Sequence, residues 1–200
     1  RVNGDTHQFT LDHDLGQGWR TRVGASYRET DLYGEAVDLT GTLQADGRTL
    51  TRRDSWRSLP ARDTSLQAEV EGKLQTGGLR HTVLAGVESW RLFMGQDMRY
   101  STLASQPFAI DIYNPTYGQA PGNLTPGFDT RDRQRATGLF VQDQMDLSER
   151  WKLLAGVRFD RYHQDYENRL NRAVQTQSHS AATPRVGVTY LVNDHTSVYA

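Results

Sequence analysis

The chain has 200 residues, 36% hydrophobic and 24% charged, with a formal net charge of -1 and no cysteine. Interleaved, near-neutral charge argues against a nucleic-acid partner, which leaves a basic patch or strongly basic domain, and the lack of cysteine excludes disulfide frameworks and thiolate-held zinc or iron-sulfur centres. No apolar run approaches the eighteen or so residues of a membrane helix, but a β-barrel, with lipid-facing residues at every second position, leaves only a weak hydropathy signal per strand.

Thr6 to Leu15 sets Phe9, Leu11 and Leu15, together with His13, against Gln8, Thr10, Asp12 and Asp14, the period of two of a strand. A Gly16-Gln17-Gly18 turn leads to a return arm with Trp19, Thr21, Val23, Ala25 and Tyr27 on one side and Arg20, Arg22, Gly24, Ser26 and Arg28 on the other. Asp31 to Pro60 reads as a long, mostly polar connection, in which Asp46-Gly47 signals a small hairpin of its own. Leu66, Ala68, Val70, Gly72 and Leu74 then alternate with Gln67, Glu69, Glu71, Lys73 and Gln75, and Thr76-Gly77-Gly78 turns the chain. The return, Arg80 to Met94, carries apolar residues at both parities, and Val83, Ala85 and Val87 are taken as its lipid face.

Gly95 to Asp132 is the longest connection and holds four of the six prolines. A loop of that length counts against a compact soluble domain unless it is functional. The central hairpin comes next, Gly138 to Asp160, turning at Ser148-Glu149-Arg150. Its second arm places Trp151, Leu153, Ala155, Val157 and Phe159 opposite Lys152, Leu154, Gly156, Arg158 and Asp160; in the first, Asp143 is the exception on an apolar side. A connection over about Glu167 to Ser180, a strand over Thr183 to Val192, a turn at Asn193-Asp194 and the start of an eighth strand complete the chain.

Short turns near 16, 77, 149 and 193 alternate with long connections near 45, 113 and 173. Outer-membrane barrels have short periplasmic turns and long extracellular loops, and their strands need about nine to eleven tilted residues. The expected fold is therefore all-β, an antiparallel transmembrane β-barrel segment of about eight strands. Trp19 and Trp151 open strands after short turns, and Tyr27 and Phe159 lie eight residues on; these four are the expected membrane-interface aromatics. Charges cost several kcal/mol on a mid-bilayer lipid face, so Arg20, Arg22, Arg28, Glu69, Glu71, Lys73, Lys152, Arg158 and Asp160 are assigned to the lumen.

The run LFVQDQMDLSERWKLLAGVRFD, then Ala182-Thr183-Pro184-Arg185-Val186-Gly187-Val188-Thr189-Tyr190 and Ser197-Val198-Tyr199-Ala200, resembles the barrel of TonB-dependent siderophore receptors of Gram-negative outer membranes. The likeness is sharpest over the last third. It implies an arc of a 22-stranded barrel, with residues 1–200 a barrel fragment cut at both ends and the plug and TonB box lying outside it. It also implies uptake of a ferric siderophore for iron acquisition, driven by TonB with ExbB and ExbD through the plug, in contact with outer-membrane lipid and lipopolysaccharide. Iron would arrive as chelated substrate, with no cofactor and no metal ligands from the protein.

The loop Pro107 to Phe128 gathers Phe108, Tyr113, Tyr117 and Phe128 among prolines, a surface suited to a compact organic ligand. In the resembled family, loops and mouth aromatics capture the chelate, and the run from Ile112 to Gly118 resembles that region; packing of the loop against its neighbours is the other reading. Catalysis finds no support: the six histidines are scattered, with no HExxH spacing and no nucleophile elbow. His163 shares parity with Asp165 and not with Asp160, which disfavours a metal site there. Two further functions remain open: a passive porin-like channel, which upstream sequence would reveal, and a soluble all-β binding domain, which would fold without detergent.

Overall fold

Strict alternation over ten or more residues leaves a chain no way to bury its apolar side except in a sheet. The computed structural model describes residues 1–101, 109–119 and 122–200, with the backbone alone at 40–42, and these described residues form nine strands. These are β1 (Val2–Gly16), β2 (Trp19–Leu43), β3 (Thr49–Thr76), β4 (Leu79–Ser101), β5 (Ile110–Asp111), β6 (Leu124–Asp146), β7 (Trp151–Asn168), β8 (Ala173–Asn193) and β9 (Thr196–Tyr199). One antiparallel sheet runs β1-β2-β3-β4-β6-β7-β8-β9, with β5 paired to the upper end of β3.

Hydrogen-bonded rows cross this sheet with uniform chemistry. Leu11, Val23, Ala68, Val87, Leu139, Phe159 and Ala182 form one row, directly opposed strand by strand. The neighbouring row, on the other face, is Asp12, Arg22, Glu69, Gly86, Phe140, Arg158 and Thr183. The sheet has an apolar face and a polar face, and among the described residues no second layer covers the first: Phe9 is 58% exposed, Leu139 55% and Phe159 55%. A soluble sandwich would cover that face with a second sheet.

The rows do not run level with the turns. The row through Trp19 crosses Gly72, Val83, Asp143, Ala155 and Val186. Trp19 directly follows its turn, whereas Val186 lies about eight residues before Asp194. The turns thus step by about seven residues over about six strand spacings, which tilts the strands by roughly 40° at ~3.3 Å per residue and ~4.8 Å per strand. That is the tilt of a barrel wall.

Four expectations need correction. Gly95 to Asp132 is not a connection throughout: Gly95–Ser101 continues β4 and Leu124–Asp132 belongs to β6, paired from Gly95↔Arg131 to Ser101↔Leu124. Asp31 to Pro60 is not a loop: β2 and β3 continue in register from Leu32↔Leu59 to Leu39↔Arg52 and close in a tight turn at Asp46-Gly47. Glu167 to Ser180 is likewise paired strand around a four-residue turn, Arg169 to Arg172, with Arg172 at φ 59. Both segments lie beyond the apolar band, where no lipid face imposes alternation, so the backbone ladder forms without a side-chain signature. The last short turn is Asp194-His195, one residue later than expected. Gly77 and Gly78, at φ 56 and 88, form the two-residue turn their sequence demands.

Candidate ligand-facing wall

The polar face is built in three tiers above the short turns. Nearest the turns, the register opposes acids to bases across strands. Arg20 lies 2.9 Å from Glu71, Arg22 2.6 Å from Asp12 and 3.8 Å from Glu69, and Lys152 2.8 Å from Asp146. Arg158 contacts Asp160 at 2.9 Å and Glu88 at 2.8 Å. Arg28 and Lys73 share this face but have no carboxylate partner among the described residues; Lys73 lies over Gly18. All nine charges assigned to the lumen from sequence stand on one face. Most are paired, so this tier is a set, self-satisfied wall and not a reservoir of free charge.

The second tier carries no signature that singles it out in the sequence. Trp90 on β4 and Tyr162 on β7 face each other across Ala136, ring centroids 6.2 Å apart and tilted by 48°. The small side chain of Ala136 is what lets two rings on non-adjacent strands meet. Beside them Tyr162 donates to Gln164 Oε1 at 3.1 Å. The Gln164 amide donates to both Asp132 oxygens at 2.9 and 2.8 Å, Gln134 donates to Asp132 at 2.9 Å, and Gln177 donates to Gln164. The parity of Arg158 and Asp160, carried two steps further, points to Tyr162 and Gln164. On β4 the mixed parity of the segment hides Trp90.

The third tier is the mouth. The β5 residues Ile110 and Asp111 pair with Leu50 and Thr49 at the top of the β2–β3 hairpin. Arg48 Nε donates to Asp111 at 3.0 Å, while the Tyr113 and Asn114 amides donate to the other Asp111 oxygen at 2.9 and 3.3 Å. These bonds, Arg48 foremost, hold the Asp111 carboxyl below the usual carboxylate range. Asp46 closes the hairpin turn, accepting from the Thr49 hydroxyl and from the Arg48 and Thr49 amides, and its pKa falls to about 2. Below the clip, Arg53 lies 3.9 Å over the Tyr100 ring.

The loop aromatics divide. Phe108 lies outside the described residues. Tyr113 and Tyr117 are 75% and 74% exposed, and Tyr113 touches only the edge of this cluster, 5.9 Å from the Arg48 guanidinium. Phe128 stands on β6 opposite Met98 and is half exposed, so it belongs to the strand wall and not to the clipped loop. Among the described residues, the structure does not bring Tyr113, Tyr117 and Phe128 into one cluster.

On the apolar face, Trp151 packs on Tyr190 at 4.7 Å, and the Trp19 ring covers Gly72, where any side chain would overlap it. Phe159 sits in the apolar row. Tyr27 lies beyond it, stacked on His7 at 6.5 Å and donating to Glu29 at 2.6 Å. His163 bonds Asp165 at 3.0 Å and Ser178 at 2.8 Å.

Comparison with known proteins agrees with this architecture. The family model described as "TonB dependent receptor-like, beta-barrel" matches residues 1–200. The metal-pseudopaline receptor CntO of Pseudomonas aeruginosa is 37% identical, covering 99% of this chain and 29% of that protein. The ferrioxamine B receptor of Salmonella typhimurium is 25% identical over 96% of this chain and 26% of its own length. The chain therefore spans less than a third of the curated relatives it matches. Among solved structures, the outer-membrane ferripyoverdine receptor of Pseudomonas aeruginosa superposes with a TM-score of 0.80, 18% identity and coverage of 98% of this chain and 26% of that one. The closed form of the ferric-catecholate import receptor Fiu of E. coli gives 0.77, 18% identity, and coverage of 99% and 32%. With a family model matched from end to end and strands tilted as a barrel wall requires, this chain belongs to the TonB-dependent receptor-like β-barrels of the outer membrane.

Proposed function

We propose that this chain forms part of the wall of a receptor that takes up a metal-siderophore chelate by TonB-dependent transport. In an outer-membrane barrel the apolar face meets lipid and the polar face meets the lumen. The observation that carries the reading is the second tier. Trp90 and Tyr162 offer aromatic faces, beside an amide and carboxylate network, about twelve residues above Gly78 and Arg150 and so toward the extracellular end. Apolar rings with a few fixed polar groups are what a compact organic chelate requires.

The relative at 37% identity is a metal-pseudopaline receptor and the more distant ones are siderophore receptors, which favours a ferric siderophore or a comparable metal chelate as substrate. The metal arrives as cargo inside its chelator, so the protein supplies neither ligands nor a cofactor, and the chelate crosses without chemical change. In this reading Tyr113, Tyr117 and Phe128 meet the ligand before the inner tier does. Energy comes from TonB with ExbB and ExbD, acting through a plug in the complete receptor.

Binding to the complete receptor in detergent, read by tryptophan fluorescence quenching across a panel of metal-loaded chelators, tests this. The expected result is saturable binding that Trp90→Leu and Tyr162→Leu each weaken about tenfold, roughly 1.4 kcal/mol. Absence of binding to every chelate, together with ion conductance in a planar bilayer, would indicate a passive channel instead.

A further inference from the structure

Above the level of Arg158 the lumen face loses its ion pairs. On β4, β6, β7 and β8, from the row of Tyr162 up to the row of Asn168, the described residues of that face include a single carboxylate, Asp132, and no arginine or lysine. Leucine, methionine, alanine, threonine, side-chain amides and aromatic rings fill the other positions, with one histidine, His179, opposite Tyr162. Arg131 and Arg133 flank Asp132 in sequence, and the alternation of the strand sets both on the opposite face.

Asp132 is a charge without a counter-ion. Among the described residues no Arg, Lys or His lies within ion-pair distance of it, and its side-chain bonds come from amides alone: Gln134 at 2.9 Å and Gln164 at 2.9 and 2.8 Å. Other cations of the lumen face are remote or taken. Arg28, opposite Asp63, stands three strand spacings away, roughly 14 Å; Arg53 and Arg57 lie 3.9 and 3.7 Å from Asp38, and Arg158 is held by Glu88 and Asp160. The amides fix the carboxylate in place but leave its charge uncancelled. Tyr166 and Met94 are its direct partners in the ladder, and Gln164 ties it to the Tyr162 hydroxyl, so carboxylate and ring pair form one unit.

We propose that this tier selects chelates that carry a protonated amine, with the ammonium on Asp132 and its hydrocarbon stem along Tyr162 and Trp90. The assignment rests on the chelate-uptake reading of the same tier and narrows its substrate class. A ligand that covers this wall strips water from Asp132, a cost that neutral contacts do not return and a positive charge does. An alkylammonium matches the surface part by part, because its stem packs on rings while its head pairs with the carboxylate. A bare metal ion does not: one carboxylate with N–H donors turned toward it offers too few oxygens, and among the described residues no three His, Asp or Glu gather. An anionic arm would meet Asp132 as a like charge and be rejected.

Calorimetric titration of the complete receptor in detergent, with ferric chelates that differ at one nitrogen, tests the site. The probes are a linear trihydroxamate ending in a free amine, the same molecule with that amine acetylated, and a tris-catecholate and a hydroxycarboxylate that have no amine. The free-amine form is expected to bind about tenfold tighter than the acetylated one, and tighter than either amine-free chelate. Asp132→Asn should reduce that preference below about twofold, while Glu71→Gln, which removes a paired charge of the lowest tier, should keep it. If Asp132→Asn loses its folded, heat-modifiable migration on gels, the two trihydroxamates on the unaltered receptor still decide. Equal affinity for that pair, tightest binding of an amine-free chelate, or a preference that survives in a folded Asp132→Asn overturns the amine assignment and leaves chelate uptake standing. No binding of any of the four overturns both.

Discussion

Arg158 reaches Glu88 across an intervening strand: its Nη2 lies 2.8 Å from Glu88 Oε2, although β6 separates β7 from β4. The crossing is possible because the residue beneath it is Gly138, where a Cβ would overlap the guanidinium. Gly138→Val is therefore expected to destabilise the barrel by about 1–3 kcal/mol through overpacking. It should also abolish the Arg158–Glu88 coupling, a few tenths to about 1 kcal/mol for a pair this exposed. Urea unfolding of a double-mutant cycle, Arg158→Met and Glu88→Gln, in both backgrounds measures both effects; a coupling that survives in the valine background would refute the bridge.

On the lipid side, Asp143 interrupts an apolar strand, and the structure supplies its partners. His81 Nδ1 lies 2.7 Å from Asp143 Oδ2, and Thr76 Oγ1 lies 2.8 Å from His81 Nε2, while the other Asp143 oxygen is buried without a bond. His81→Leu should cost about 1–3 kcal/mol by stranding the carboxylate. Combining it with Asp143→Val should restore wild-type stability or better, because a polar pair replaced by apolar groups costs little or nothing. Unfolding in lipid vesicles gives the comparison, and a double variant weaker than the single one contradicts it.

The membrane position derived from the turns can be mapped with one strand. Val141→Arg, near the middle of the apolar band on β6, should cost about 2–4 kcal/mol, and Thr137→Arg, between Leu139 and Arg135, about 0–1. Equal costs at the two sites, measured by unfolding from vesicles, would displace the band from where the structure sets it.

The hairpin tip has a defined pH window. Asp46 has a folded-state pKa of about 2, below its unfolded value near 4, so its contribution is complete above the unfolded value and lost only as pH falls toward 2. Asp111, lowered by Arg48 and by the Tyr113 amide, behaves in the same sense. The tip and its clipped loop should thus be insensitive to pH between about 5 and 8. Carboxyl-carbon NMR titration should place the Asp46 midpoint at about 2; an ordinary midpoint near 4 would show the turn bonds to be absent.

Much of the wall is readable because lipid imposes a rule on every second residue. Phe9, Leu66, Leu139 and Phe159 alternate with charges, and the register follows from that alternation. The rule lapses beyond the apolar band, so Asp31 to Pro60 and Glu167 to Ser180 read as loops although their backbones pair on either side of a tight turn. Trp90 is hidden for a related reason: Leu84 and Leu92 on its own face make β4 look ambiguous, and only the pairing with Ala136 shows which side is polar. Tyr113 and Tyr117 are visible as residue types, but the Arg48–Asp111 clip beside Tyr113 is not, because it joins segments far apart in sequence.

The β2–β3 hairpin stands well beyond the apolar band, about 19 residues from Tyr27 to Asp46, or roughly 60 Å along the strand. Because β4 holds β3 as far as Ser55, paired with Tyr100, its free arm is the last nine or so residues, roughly 30 Å, and that arm acts as a lever. A swing of about 5° at Ser55 carries its tip about 3 Å. Because Ile110 and Asp111 hydrogen-bond to that tip, Tyr113 and its neighbours travel with it. The mouth can thus widen or narrow by a small flexing of intact strands, with no bond in the clip broken.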